Sequence, residues 1–94
     1  MQLTHVDSDE AAILSRVIEP DKATLSPAAA RSLLELEFTR EDQERMHQLL
    51  DKNQQGRLTK QEQQELDTYR RIGRLIDLLC AKAHLSLHKA GRAH

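Results

Sequence analysis

Ninety-four residues with 38% hydrophobic, 31% charged and 2% aromatic side chains make one small domain, whose fold hides only about 60 to 65% of its unfolded surface. Phe38 and Tyr69 are the only aromatics, beside three Gly and two Pro, which argues against a β-sandwich or barrel and for an all-α protein. Cys80 is the one cysteine, so there is no intrachain disulfide framework and no Cys-type zinc site.

The net charge of −1 hides an asymmetry, because residues 1–50 carry ten acids and five bases while residues 51–94 carry five acids and nine bases. Oppositely charged halves can complement each other within one fold or between copies. The N-terminus lacks the basic start and apolar core of a signal peptide. The longest apolar stretch, Leu75 to Ala81, is broken by Asp77 and is far short of the ~20 residues of a membrane span. A soluble, cytoplasmic protein with no membrane contact is expected.

In chain order, Asp7-Ser8-Asp9-Glu10 offers a capping box ahead of Ile13, Leu14, Val17 and Ile18, and Pro20 should stop this first helix at Glu19. Ser26-Pro27 pairs an N-cap with proline at the first helical position, and the second helix is expected to run through Ala29, Ala30, Leu33, Leu34 and Leu36. That leaves only Glu37, Phe38 and Thr39 between it and a third helix, which Thr39-Arg40-Glu41-Asp42 opens as its cap and first turn, with Met46, Leu49 and Leu50 as its apolar stripe. Gly56 fits a left-handed stop, and Thr59-Lys60-Gln61-Glu62 is a full capping box for a long fourth helix.

On that helix Leu66, Tyr69, Gly73, Ile76, Cys80, Ala83 and Leu87 form a stripe at helical spacing, widened by Ile72, Leu75 and Leu79. Glycine within a helix is unfavourable, so Gly73 suggests close approach of another backbone. A stripe longer than three short helices can cover suggests a homodimer, or a structural homo-oligomer, with Tyr69, Gly73, Ile76 and Cys80 at its seam. Residues 1–7 and 89–94 are expected to fray.

Four kinds of chemistry have candidate residues in the sequence. Asp51, Asn53, Gln55, Thr59 and Glu62 occupy positions 1, 3, 5, 9 and 12 of an EF-hand-like loop with Gly56 at position 6. Only Asp51 and Glu62 are charged ligands, however, and Lys52, Arg57 and Lys60 surround them. The same residues serve as a helix stop and a capping box, and that reading is preferred to a calcium-binding regulatory module. His84 and His88 stand four apart, a spacing that could share a metal, but no third ligand is marked, so no metal or cofactor is expected. Arg70, Arg71, Arg74, Lys82, Lys89 and Arg92 make the last third basic, yet without interleaved aromatics, so direct nucleic-acid binding is not expected. Cys80 lies on the apolar seam, where thiols are inert packing, and no catalytic constellation stands out. The chain reads as a non-enzymatic protein.

The segments Ser15 to Asp21, Leu25 to Leu34, Gly56 to Thr59, Glu65 to Leu79 and Lys82-Ala83 resemble a family of small bacterial helical proteins with no assigned activity. Their genes commonly sit directly before an HNH-type or similar toxin-like nuclease. The resemblance implies an antitoxin-like or accessory partner that binds the nuclease. Such a partner presents a basic groove, and the acids Glu35, Glu37, Glu41 and Asp42 around Phe38 are the candidate binding corner.

Overall fold

A computed structural model of the chain describes the backbone of residues 3–92 and the side chains of residues 9–91. It is all-α, with helices α1 (Leu3–Ile18), α2 (Pro27–Leu33), α3 (Arg40–Gln54) and α4 (Lys60–Arg92), and no strand among the described residues. None of these helices is long and apolar enough to cross a membrane. The chain divides into two compact units, one made of the residues up to Leu36 with those from Arg74 onward, the other of Glu37–Gly73. Residues 3–7 and 89–92, expected to fray, are helical; residues 1, 2, 93 and 94 lie outside the described ones.

The first unit holds α1, α2 and the later part of α4. Backbone from Leu3 is already helical, so residues 7–10 lie inside α1 and do not begin it. No Gly or Pro occurs between Leu3 and Ile18, and nothing else in that stretch forces the helix to start late. The far end follows the expected rule. Pro20 disfavours right-handed helical dihedrals at the residue before it, and Glu19 turns to φ 53°. That left-handed conformation costs about 1 to 2 kcal/mol for a residue with a Cβ. It is supported by the Glu19 N–H donating to the Ser15 carbonyl at 2.9 Å and by a Lys22–Glu19 ion pair at 2.8 Å.

Over residues 9–18, only one face of α1 is covered. Ala11, Leu14 and Ile18 are half-buried, whereas Ile13 and Val17, expected in the same stripe, are 50% and 75% exposed. The helix spacing puts Leu14 and Ile18 on one side and Ile13 and Val17 beside them, and a core this small covers only the first pair. α2 is also shorter than expected. Ser26 caps it through its Oγ, which accepts from the Ala29 N–H at 3.2 Å. It ends at Leu33, because Glu35 and Leu36 donate to Ser32 and Leu33 three residues back, a tightened exit turn that does not propagate. Residues 34–39, not three residues, therefore separate α2 from α3.

Two polar contacts tie α4 to the rest of this unit. Lys82 Nζ donates to the carbonyl of Ile18 at 2.7 Å and more weakly to that of Glu19 at 3.4 Å. It thus puts a cation on the carbonyls at the negative end of α1, of which that of Glu19 also accepts from the Lys22 N–H at 3.0 Å. One turn later the Ser86 Oγ, 3% exposed, accepts from the Leu25 N–H at 3.2 Å. Between them lies Ala83, fully buried like Ala30 of α2, and side chains this small let helices pack closely.

The second unit is an antiparallel hairpin of α3 and the first part of α4. Its core is Leu49 and Leu66, at 0% and 2% exposure, each worth about 1.5 to 3 kcal/mol of burial. α3 starts where Thr39 Oγ1 accepts from the Asp42 N–H at 3.2 Å. It ends in a Schellman turn: Gly56 at φ 66° donates to the Asn53 carbonyl, and Arg57 donates to that of Lys52. The capping box of α4 forms as read, with Thr59 Oγ1 accepting from the Glu62 N–H and Glu62 accepting from the Thr59 N–H, both at 3.0 Å. Gly73 differs from expectation. A Cβ there would meet only the Phe38 ring, at an ordinary 3.9 Å, so no backbone approaches closely.

The α1 locks generate a prediction. Replacing Lys82 with Met, which keeps the stem and removes the cation, and replacing Ser86 with Ala, which strands the Leu25 N–H, should each lower unfolding stability by about 1 to 2 kcal/mol. The exposed neighbour variant His84→Ala should stay within about 0.5 kcal/mol of the parent chain. Urea midpoints of the three variants check this; equal losses at all three positions would remove these two contacts as locks.

Candidate functional site

The hairpin's two helices are registered by three polar contacts, which run from its loop to its open end. Near the loop Lys52 reaches Glu62 at 2.5 Å. In the middle the Arg45 guanidinium makes a two-pronged pair with Glu65, Nε to Oε2 at 2.8 Å and Nη2 to Oε1 at 2.9 Å, and touches Gln48. At the open end the Tyr69 hydroxyl donates to Asp42 Oδ1 at 2.7 Å. The second Asp42 oxygen accepts from the Thr39 hydroxyl at 3.0 Å, so the residue that opens α3 is also the partner of α4.

Next to this last contact is an open cleft of about 460 Å³ lined by Phe38, Asp42, Glu65, Thr68, Tyr69 and Ile72. Phe38 meets Tyr69 edge-on, with ring centres 5.8 Å apart and planes at 71°, a favourable aromatic arrangement. The Phe38 carbonyl is held by the Gln43 side-chain amide at 2.9 Å, which fixes the approach to α3. Ile72 leaves 43% of its surface in solvent. The cleft thus has apolar walls with carboxylates among them.

The electrostatics of the three contacts differ. The Lys52 ammonium, helped by the Thr59 N–H, lowers the Glu62 pKa from 4.5 to about 2. The Arg45 guanidinium holds Glu65 below the usual carboxylate range, and Glu65 in turn raises Arg45. Asp42 instead receives two neutral hydroxyls. Among the described residues no Lys, Arg or His nitrogen pairs with it. Its negative charge acts on its donor: hydrogen bonding to Asp42, then burial, pushes the Tyr69 phenol above 10.0.

The candidate residues read from the sequence separate on this framework. Phe38 and Asp42 line the cleft, and Glu37 and Glu41 are exposed residues of the same unit. Glu35 belongs to the other unit. Of the proposed seam, Tyr69 and Gly73 lie in the hairpin and Ile76 and Cys80 in the first unit, and all four are half-buried within the single chain. Asp51 and Asn53 are still helical and Gln55 is the C-cap of α3. Thr59 and Glu62 are joined to each other as a cap, so the EF-hand spacing is used here as helix punctuation. His84 and His88 are exposed, and no group of three metal-ligating side chains occurs among the described residues. The basic last third is not one face either. Arg70 stands 3.9 Å from Asp67, Lys82 is committed to α1, and Arg74 has a buried Nη1 with no hydrogen-bond partner among the described residues.

Sequence reasoning missed Glu65, Thr68 and Ile72. The signal was present, since 65, 69 and 72 step by four and three along one face of α4, but the charge of Glu65 and the attention to the Tyr69–Cys80 stripe hid it. No family model matches the chain, and no curated protein or solved structure matches it.

Two titrations follow from this geometry. A carboxylate with a depressed folded pKa adds stability that is complete above its unfolded value and is lost as pH falls through the folded one. The stability difference between the parent chain and Glu62→Gln should therefore be largest near neutrality and vanish as pH falls from 4.5 toward about 2. Thermal midpoints across that range measure it, and a constant difference would mean that the Lys52 pair is not what depresses Glu62. For Tyr69 the sign is opposite, because a raised phenol pKa adds stability below the unfolded value that is lost as pH rises through the folded one. Tyr69 is the single tyrosine, so absorbance reads its ionisation alone. Its midpoint should lie above 10.0 and move down in Asp42→Asn.

Proposed function

We propose that the chain is a non-enzymatic protein-binding module, an antitoxin-like or accessory partner of a bacterial nuclease encoded beside it. It engages that basic partner through the face of the hairpin that carries Glu37, Phe38, Glu41 and Asp42. The observation that supports this reading most is the combination at the open end of the hairpin: an apolar, aromatic-walled cleft beside a carboxylate with no cationic partner among the described residues. Protein interfaces place their strongest contacts at apolar pockets surrounded by polar groups. Exposed acids near such a pocket attract a basic partner, speed the encounter and fix its register. A nuclease that grips phosphate with basic residues is a partner of that character, and in this reading the acids take the place of phosphate.

The test is co-expression with the neighbouring gene product, affinity capture, and measurement of the complex at two salt concentrations. Glu37→Lys with Glu41→Lys, two exposed substitutions, should weaken the complex about tenfold, mainly through slower association, and the parent complex should weaken as salt rises. Absence of a complex, or one indifferent to both the charge reversal and salt, would contradict this reading.

A further inference from the structure

The cleft at the open end of the hairpin is specific about what it can hold. Asp42 is half-buried, and each of its oxygens accepts one neutral hydroxyl, from Tyr69 at 2.7 Å and from Thr39 at 3.0 Å. Each carboxylate oxygen has a second acceptor position, so the pair of hydroxyls orients the group and leaves one position on each oxygen. The hydroxyls leave its charge in place, whereas Glu62 faces Lys52 and Glu65 faces Arg45. The carboxylate stands in the first turn of α3, where its negative charge suits the helix dipole, and its free acceptor positions can receive the N–H donors of an incoming cation.

The walls decide which cation. Phe38, Tyr69 and the 43%-exposed Ile72 offer apolar surface and aromatic rings, which suit a long aliphatic stem and a flat, weakly hydrated charged head. A guanidinium is planar, stacks on rings and meets a carboxylate with two parallel N–H donors, whereas an ammonium is a compact and strongly hydrated point charge. We infer that this cleft is the anchor pocket for an arginine side chain of a protein partner, with its guanidinium on Asp42 and its stem along Ile72. The inference rests on the reading of the chain as a binder of a basic protein and names the side chain that is bound.

The molecule supplies its own reporter. It has one tyrosine and no tryptophan, so tyrosine fluorescence of the full chain comes from this cleft alone. The probes are N-acetyl-arginine amide and its neutral isostere N-acetyl-citrulline amide, titrated at low salt. The arginine probe should give a saturable change in Tyr69 emission in the roughly millimolar range expected of a single side chain, at least tenfold tighter than the citrulline probe. Asp42→Asn, with its helicity checked by circular dichroism, should abolish that preference. The comparison of the two probes on the unmodified chain stands even if the variant does not fold. Equal responses to the two probes, or no saturable response to arginine, would overturn the inference. A nuclease complex recovered by affinity capture alongside such a result leaves the partner-binding reading in place without this anchor. An arginine response without any nuclease complex supports the anchor and removes the nuclease.

Discussion

Among the described residues, Leu49 and Leu66 are the only large side chains that are fully buried, and this scarcity governs everything else in the structure. Apolar burial is non-directional, and a core that small brings helices together without fixing how far each slides along its neighbour. Register then falls to directional contacts. In the hairpin these are Lys52–Glu62, Arg45–Glu65 and Tyr69–Asp42; in the other unit they are Lys82 on the end of α1 and Ser86 on Leu25. Each places a polar group from α4 against a definite position of another segment. In the other unit the buried apolar side chains are the small Ala30 and Ala83, and Ile13 and Val17 are left in solvent.

The same contacts give the hairpin a graded electrostatic character. At its loop end and centre, each carboxylate that bridges the helices is matched by a cation, and these pairs set register. At its open end the bridge is made by hydroxyls, which hold Asp42 in place without cancelling its charge. Phe38 and Tyr69, the only aromatics in the chain, meet at that same end. An anionic group, two rings and a half-exposed isoleucine are thus brought together by one requirement, the closing of the hairpin. This coincidence of structural need with binding chemistry is the ground on which we propose a recognition surface here.

Local signals were legible wherever the physics is local. The caps at Ser26, Thr39 and Thr59, the stop at Pro20 and the left-handed Gly56 depend on a few adjacent residues, and each was readable from the sequence. The start of α1 and the end of α2 were not, because a capping pattern can lie inside a helix and because a short helix stops where its hydrogen bonds tighten, which leaves no mark in composition. Of the six residues that line the cleft, Phe38 and Asp42 are legible as a ring among acids, and Tyr69 only as part of the α4 stripe. Glu65, Thr68 and Ile72 come from α4, and their meeting with α3 depends on antiparallel register that no single segment encodes. Lys82 was read as one base in a basic run, and only the fold reveals that it caps a helix distant in sequence. Within the chain, the neighbour of Gly73 is the Phe38 ring and not the backbone of another helix.

The central claim is that the open end of the α3–α4 hairpin is a protein-recognition surface. Hydrogen–deuterium exchange of the full chain, alone and with the proposed nuclease partner, tests it most directly. Slowed exchange should concentrate in the backbone from Glu37 to Gln43 and from Glu65 to Gly73, with little change at the Gln55 to Thr59 loop. Protection confined to α1 or to α4 beyond Lys82, or no change anywhere, would contradict the account.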